Sequence, residues 1–557
     1  MGSLSLEVEK GLYLGIDFGT TNSVVSIYHY DSDEIHTLRI DGQYIFPTVV
    51  QFEIDEENGG VKRIFGREAK EAAVIFPEST VVSIKRLLDS DQVVEIVLEE
   101  RRFSFEPVAI VAELLSHLKE LADQYIRDEL GIIGTFSGCV ITVPANSTDK
   151  FKKRMKKAAA IAGFMDEGVH LRLEPAAAAL VYAMQVKHSS KVMVYDFGGG
   201  TFDACLLQIT EGEEGKEIEL LSTYGDNHLG GNDIDQILVD CFYDEFLRLT
   251  KNQIDLFDDT KEDGLKRREK KMAISKLKNL AIQTKEKLST VQSAKAVLAP
   301  LIQLPYPVNL NIELSRDDFY QYRRKHRLDD EQTVFENLKG LSAQDLVERS
   351  LQCVYKCLEA AKMSHKDVDE IILVGGSSSM SEVKRQIRDF FGKEPFRNIV
   401  SPALSISQGA AYYCKQIMLP SENSVKVQEQ TVHSVGLEIS GRRYFEVVKA
   451  GVPIPEGDLV VEAPYTLETN MDDISSLAIS VYEDLEPEEW KRKFVYEKGV
   501  KRLSGTTLRG IPAKAKGEEK IRVVFRVSRD NTLTVEAQSI NTEGVRTVLH
   551  VDELYEK

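Results

Sequence analysis

The sequence predicts an α/β region followed by an all-β region, and three observations carry that reading. Two segments share one design: "GLYLGIDFGTTNSVVSIYHY" (11–30) and "VYDFGGGTFDACLLQI" (194–209) each run an apolar strand to an aspartate, turn through Gly and Thr, and resume as a strand. Up to about residue 417, such strands alternate with stretches of helical apolar spacing, the mark of α/β architecture. From Pro420 the texture changes. "PSENSVKVQEQ" is polar and aperiodic, and short alternating stretches follow it, separated by Gly, Pro and Asp-rich turns.

Bulk properties narrow the class. A chain of 557 residues exceeds one hydrophobic core, so several domains are expected. With 42% hydrophobic and 29% charged residues it is globular in composition, which excludes disordered and collagen-like classes. A net charge of −19 argues against nucleic acid as a partner. No apolar run approaches the ~18 residues of a membrane span. "MGSLSLEVEKG" lacks a signal-peptide core, and Leu6 breaks the myristoylation pattern, so a cytoplasmic location without membrane attachment is expected.

Taken along the chain, the two hairpins are the one internal repeat and suggest two related lobes. Helical patterns fall at Pro107–Leu121, Lys150–Gly163 and Leu265–Leu288. The last two are basic, yet apolar residues recur at helical spacing without interleaved aromatics, which reads as solvated amphipathic faces. Strands are expected at Tyr444–Val448, Leu477–Tyr482, Ile521–Val527, Thr532–Ala537 and Thr547–Val551. The cysteines at 139, 205, 241, 353, 357 and 414 form no CxxC pair and read as buried thiols.

Glycine-rich turns point to phosphate. A Walker A loop or a dinucleotide fingerprint would open a helix, whereas both turns here run into strands. Hairpin tips of this kind offer backbone N–H groups as an anion nest, with Thr20, Thr21 and Thr201 adding hydroxyls. Asp17 and Asp196 would repel phosphate, so a divalent cation is implied, with Mg²⁺ held through carboxylates and water.

These residues carry a family resemblance. "IDFGTTNS" (16–23), "DFGGGTFD" (196–203), "GDNHLGGND" (225–233), "IILVGGSSS" (371–379) and "SPALSISQGAA" (401–411) are similar to motifs of the seventy-kilodalton heat-shock (DnaK-like) chaperones. "VHSVGLEISG" (432–441), "ISVYED" (479–484) and "LRGIPAKAKGEEKIRVVFRVSRDNTLTVEA" (508–537) resemble that family's peptide-binding sandwich. The resemblance implies an actin-like, duplicated ribonuclease-H-like ATPase domain over 1–417, a linker over 418–431 and a β-sandwich over 432–557. With only "DELYEK" after the last strand, no helical lid is expected.

Carried over position by position, the resemblance implies ATP with Mg²⁺. It places Gly19, Thr20 and Thr21 at the β-phosphate, and Asp17 and Asp196 around the hydrated metal. Gly198, Gly199, Gly200 and Thr201 fall at the γ-phosphate. Lys85 and Glu174 fall beside the attacking water, with Asp196 and Thr201 completing the catalytic set. Gly230, Gly231, Lys285, Ser289, Gly375, Gly376 and Ser377 surround the nucleoside. Pro144 and Lys152 match the coupling positions, and Leu437, Ile439 and Leu477 match groove-lining positions that equally suit a sandwich core.

The resemblance is incomplete on the base side. Glu286 stands where the family has an adenine-stacking arginine, Ile282 replaces its acidic partner, and Ser379, Ala403 and Asn232 replace other polar residues. A carboxylate cannot stack as a guanidinium does, so altered base recognition is expected. Lys152 keeps charge without the arginine fork, and Val425 and Val427 are the only apolar anchors in the linker. The expected function is an ATP-dependent chaperone: slow hydrolysis coupled to binding of extended apolar peptide, with J-domain and nucleotide-exchange proteins as further partners. Two alternatives stay open. One is a non-hydrolysing nucleotide-binding scaffold or cochaperone subunit; the other, a sugar kinase or filament protein, leaves the β region unexplained.

Overall fold

Strands β1 (Leu12–Phe18) and β2 (Asn22–His29) form the first hairpin in register, with Asp17 opposite Val24. β3 (Glu34–Thr37), β4 (Phe136–Val143) and β5 (Val169–Leu173) extend it to a sheet in the order β5-β4-β1-β2-β3, with the short strand Phe46–Pro47 also pairing β2. β4 runs parallel to β1 and β5, and the pairs β1/β2 and β2/β3 are antiparallel. The second hairpin joins β6 (Ser190–Phe197) to β7 (Phe202–Gly212), setting Asp196 opposite Asp203. β8 (Gly215–Asp226), β9 (Glu370–Val374) and β10 (Lys426–Gln428) extend it to β9-β6-β7-β8-β10. β9-β6-β7-β8 repeats the parallel, antiparallel, antiparallel pattern of β4-β1-β2-β3. The sequence repeat is thus a repeat of sheet topology, and each hairpin holds the same place in its sheet.

The structure is a computed structural model describing residues 11–550, apart from 56–59, 100, 165–167, 187, 213–214, 227, 259, 327–337, 397–400, 421–424, 456, 485–493 and 498. Both chain ends, including Val551 of the expected last strand and the "DELYEK" end, lie outside the described residues. So do residues 421–424 of the expected linker.

Helices α1 (Asp149–Ile161) and α2 (Glu174–Gln185) pack against the sheets. α3 (Gly231–Leu249) and α4 (Arg267–Leu288) pack on one another and on the hairpin of Ser293–Ile302 with Val308–Ser315. The helix Ala343–Ala360 and α5 (Ser405–Met418) cover the second and first sheets respectively. Sheets covered on both faces explain why β1 and β6 read as near-continuous apolar runs instead of alternating ones. α2 begins Glu174-Pro175, with proline in its first turn, and is buried from Glu174 to Ala183. Its alanines let α5 approach closely: a Cβ built on Gly409 would stand 1.9 Å from the Ala177 carbonyl oxygen. The helix expected over Pro107–Leu121 runs to Asp128, because Leu118, Ala122 and Ile126 continue its buried stripe. Both basic helices are amphipathic: Ala273, Leu277, Leu280, Ala281 and Leu288 of α4 are buried. All six cysteines are free, and five are buried. No helix among the described residues is long and apolar enough to cross a membrane.

Beyond β10, the described elements are strands in two antiparallel sheets. One orders Arg443–Val448, Ser434–Ile439, Ser476–Asp484 and Val500–Arg509. The other builds on Lys520–Val527, Leu533–Ser539 and Arg546–His550. Leu437, Ile479 and Val481 from one meet Ile521, Phe525 and Val535 from the other in a single core.

The expected aperiodic linker needs a correction. Residues 426–428 form β10, which pairs in parallel with the edge of β8, Val427 opposite Ile218. Val425 and Val427 are each 9% exposed and join the core of the first sheet region. "VKV" carries a period of two that its polar neighbours hide, and the open edge of β8 supplies the backbone partners.

Candidate functional site

The two hairpins bring Asp17 and Asp196 near the ends of β1 and β6, close enough for their charges to interact. Lys85 enters on a 3-10 turn, Ile84–Asp89, directly after Ser83, whose φ of 57° is left-handed. Glu174 opens α2 where β5 ends. Lys85 Nζ donates to Glu174 Oε1 at 2.7 Å, with both side chains less than a tenth exposed. Asp203, next to Asp196 across the second hairpin, accepts from Asn146 Nδ2 at 2.7 Å.

Among the described residues, four carboxylates and one ammonium therefore lie together, all but the half-buried Asp17 less than a tenth exposed. Burial first, then the charge of Glu174, pushes Asp17 up to about 7 despite Lys85. Burial and Glu174 likewise push Asp203 up to about 7. Asp196 rises well above the usual carboxylate range through burial and the charges of Glu174, Asp203 and Asp17. Crowded carboxylates that resist ionisation are the donor set of a hard divalent cation, so the residues present fit Mg²⁺.

The carbonyls of the glycine turn are all bonded from the side of α3, Ser377 and Arg86. Gly198 O accepts from Gly231 N at 3.0 Å and from Ser377 Oγ at 2.9 Å, and Gly199 O accepts from Asn232 N at 2.8 Å. Gly200 O accepts from Arg86 Nη2 at 2.6 Å. In planar trans peptides the following N–H groups, of Gly199, Gly200 and Thr201, point the opposite way. Three successive amides facing away from α3 and Arg86 make the nest that phosphate oxygens require. The turn also touches the other hairpin: a Cβ on Gly199 would fall 2.1 Å from Thr21 Oγ1, and one on Gly200 2.7 Å from Thr20 Cγ2. Backbone at both positions is thus fixed by tip-to-tip packing. Gly375 has φ +78°, and its missing side chain admits the Phe197 carbonyl oxygen.

The residues expected around the nucleoside are more loosely assembled. Lys285 Nζ donates to Gly231 O at 3.0 Å and to Asp235 Oδ2 at 2.9 Å, so it braces the start of α3. Ser289 Oγ bonds back to Lys285 O at 2.9 Å. Glu286 and Ser379 are exposed, and Gly376 is open to added volume. Gly19, Gly230 and Gly231 lie in the same turns as the residues above.

Several contributors were not legible in the sequence. Arg86 also reaches Asp233 Oδ2 at 3.1 Å; its adjacency to Lys85 in "SIKRLL" was the available signal. Asn232, which showed only as a departure from the family pattern, donates to Ser83 Oγ at 3.2 Å and accepts from Thr21 Oγ1 at 3.5 Å. Asn146 had no sequence signal at all.

Pro144 is buried, and its carbonyl accepts from Ser147 N and Oγ in the turn that carries Asn146 into α1. Lys152 is buried on α1 near Glu483 and Asp149. Its neighbours make the direct bonds to the β region: Leu533 N donates to Asp149 Oδ1 and Lys153 Nζ to Leu533 O, each at 2.6 Å. Arg172 Nη1 donates to Asp530 Oδ1 at 2.6 Å and lies 4.9 Å over the Tyr413 ring. Lys501 Nζ reaches Asp89 Oδ2 at 2.6 Å. Leu437 is 1% exposed within the core between the two sheets, while Ile439 and Leu477 are half-buried.

Comparison with known proteins gives a consistent result. The family model described as Hsp70 protein matches residues 13–553. "Chaperone protein DnaK" of Thermotoga petrophila is 31% identical over 541 residues, covering 96% of this chain and 79% of the relative. The proteins of the same name from Thermotoga maritima and Thermotoga neapolitana match to the same extent.

Proposed function

The chain belongs to the Hsp70 family, its function is that of an ATP-dependent chaperone, and on that premise we propose how its residues divide the work. The reading assigns an actin-like ATPase domain to 1–417 and a peptide-binding β-sandwich to 432–557, joined by 418–431. The observation that carries it is the buried Lys85–Glu174 pair set among Asp17, Asp196 and Asp203, with the amides of Gly199, Gly200 and Thr201 turned outward beside it.

Asp17 and Asp196 hold Mg²⁺ through water, and the ion supplies charge neutralisation along the phosphates when bound. Thr20, Thr21 and the turn amides bind and orient the phosphate chain. Glu174 accepts from Lys85 and so fixes where the ammonium points; Lys85 in turn places a water for in-line attack on the terminal phosphoryl group. Such catalysis is positioning and electrostatics, which suits slow turnover. Gly230, Gly231, Lys285, Ser289 and Gly375 to Ser377 enclose the nucleoside, without a stacking arginine at Glu286. Extended apolar peptide is held by the β-sandwich, with Ile439 and Leu477 at the margin of its core. J-domain and nucleotide-exchange proteins are the expected partners of that cycle.

The test is Mg²⁺-dependent ATP turnover by the full chain. Lys85→Ala and Glu174→Ala are each expected to lower turnover at least about 100-fold while circular dichroism stays native. Turnover untouched by both substitutions would sink the catalytic assignment. A non-hydrolysing scaffold is the second reading, favoured by exposed Glu286 and by the tip-to-tip contact of Thr21 with Gly199. Calorimetric ATP binding without phosphate release would select it.

A further inference from the structure

One cluster of ligand-type side chains takes no part in the function proposed above. Asp240 and Asp244 lie one turn apart on α3, so their side chains leave the same face of the helix. His326, after the short helix Arg316–Gln321, comes up against them. Its Nε2 lies 2.5 Å from Asp244 Oδ1 and 3.7 Å from Asp240 Oδ1. One ligand atom from each of the three residues falls within 4.8 Å of the others.

The second observation concerns Asp240 alone. It is 0% exposed, and among the described residues its Oδ1 accepts no hydrogen bond. A buried carboxylate oxygen without a donor is costly, and this one faces the imidazole across the cluster. The remaining carboxylate oxygens are already committed. Asp240 Oδ2 accepts from the backbone N–H of Lys325 and, at 3.0 Å, of His326. Asp244 Oδ2 accepts from Tyr322 Oη at 2.7 Å and from the Lys325 ammonium. Tyr243 meets the imidazole edge to face, with ring centroids 5.3 Å apart, and holds its plane. Outer partners thus fix both carboxylates and the ring while Oδ1, Oδ1 and Nε2 converge, as metal ligands with a supporting shell do.

The geometry points to a site for a divalent transition metal of zinc type, with Asp240 Oδ1, Asp244 Oδ1 and His326 Nε2 as protein ligands and water completing the set. Tetrahedral bonds of ~2.0–2.1 Å put ligands roughly 3.3 Å apart, between the two separations found here. Binding therefore replaces the His326–Asp244 hydrogen bond, releasing the Nε2 proton to solvent. The imidazole selects against calcium and magnesium, and the lack of thiolate selects against copper(I). Lys325 offsets one carboxylate charge from the far oxygen and lowers affinity. A groove of about 540 Å³ lined by Cys241, Asp244 and Tyr322 opens alongside Asp244. The metal would fasten residues 322–326 to α3, the helix whose first amides hold the glycine turn.

Cobalt(II), titrated into the full nucleotide-free chain and followed by its visible absorption, tests this. One equivalent with tetrahedral bands, displaced by zinc, is expected. His326→Ala, at a half-exposed position that should not disturb folding, and Asp240→Asn should each abolish the bands. Tyr322→Phe should weaken binding about tenfold. His326→Cys should add thiolate-to-cobalt charge transfer, which reports ligation independently of affinity. Asp17→Asn and Cys241→Ser should leave the tetrahedral bands unchanged. The site is refuted by a folded wild-type chain that takes up no cobalt, by bands that survive His326→Ala, or by bands lost in Asp17→Asn.

Discussion

Lys85 Nζ and Glu174 Oε1 sit 2.7 Å apart with both side chains less than a tenth exposed, although 89 positions separate them in the chain. A pair this buried depends on mutual compensation. Lys85→Met leaves the Glu174 charge without a partner and is expected to destabilise the fold by about 3–5 kcal/mol in denaturant unfolding. Lys85→Met combined with Glu174→Leu should recover most of that loss. Equal destabilisation of single and double variants would show that the two residues are not energetically coupled.

The acidic cluster sets a pH dependence whose sign is fixed. Burial raises Asp17 and Asp203 to about 7, whereas an unfolded aspartate titrates near ~3.9. Between those values the folded chain holds protons that the unfolded chain has lost, so this contribution to stability falls as pH rises through the window. Without Mg²⁺ and nucleotide, Asp203→Asn should flatten the fall in Tm between about pH 4 and 7. Mg²⁺ should stabilise the wild type more at the upper end, where it displaces fewer protons. A wild type and Asp203→Asn with parallel Tm profiles would contradict this.

Glu286 is exposed on the helix that carries Lys285, and it adds negative charge near Asp235. Restoring a planar cation with Glu286→Arg is expected to tighten ATP binding roughly tenfold by calorimetry, the scale of a stacked guanidinium. Parallel titration with GTP reads base preference, and the gain should be larger for ATP. No change for either nucleotide would remove position 286 from the base site.

Val427 is buried where β10 pairs with β8. Val427→Asp places a charge in that apolar setting and should release the pairing, seen as faster proteolysis within 418–431 under native conditions. Arg172→Met should have a related effect, because it leaves Asp530 and Glu429 facing one another without their shared cation. Cleavage rates equal to wild type in both variants would mean that these contacts do not hold the segment.

Local chemistry made much of the fold readable. The hairpins declared themselves through an apolar run, an aspartate and a glycine turn, and amphipathic spacing located α1 and α4 nearly to their ends. β10 was hidden because three residues of strand gain their hydrogen bonds from a partner some 200 positions away, and only Val425 and Val427 mark them. Asn146 was invisible for the same reason, and Asn232 showed only as a departure from the family pattern: an asparagine in a turn says nothing of its role until the group it bonds to is in place.

By itself the sequence determined the residues that chemistry demands at short range: Asp17 and Asp196 at strand ends, glycines and threonines in the turns, Lys85 and Glu174 in their motifs. These choices follow from backbone conformation and from the charge of a phosphate ligand, and both act locally. The tertiary structure decided which groups share a dielectric. It put four carboxylates around one ammonium, turned the Gly198–Gly200 carbonyls toward α3 and Arg86, and set His326 against Asp240 and Asp244. Burial and Coulomb energy depend on distance in space, which strand pairing and helix packing settle and which spacing along the chain does not encode.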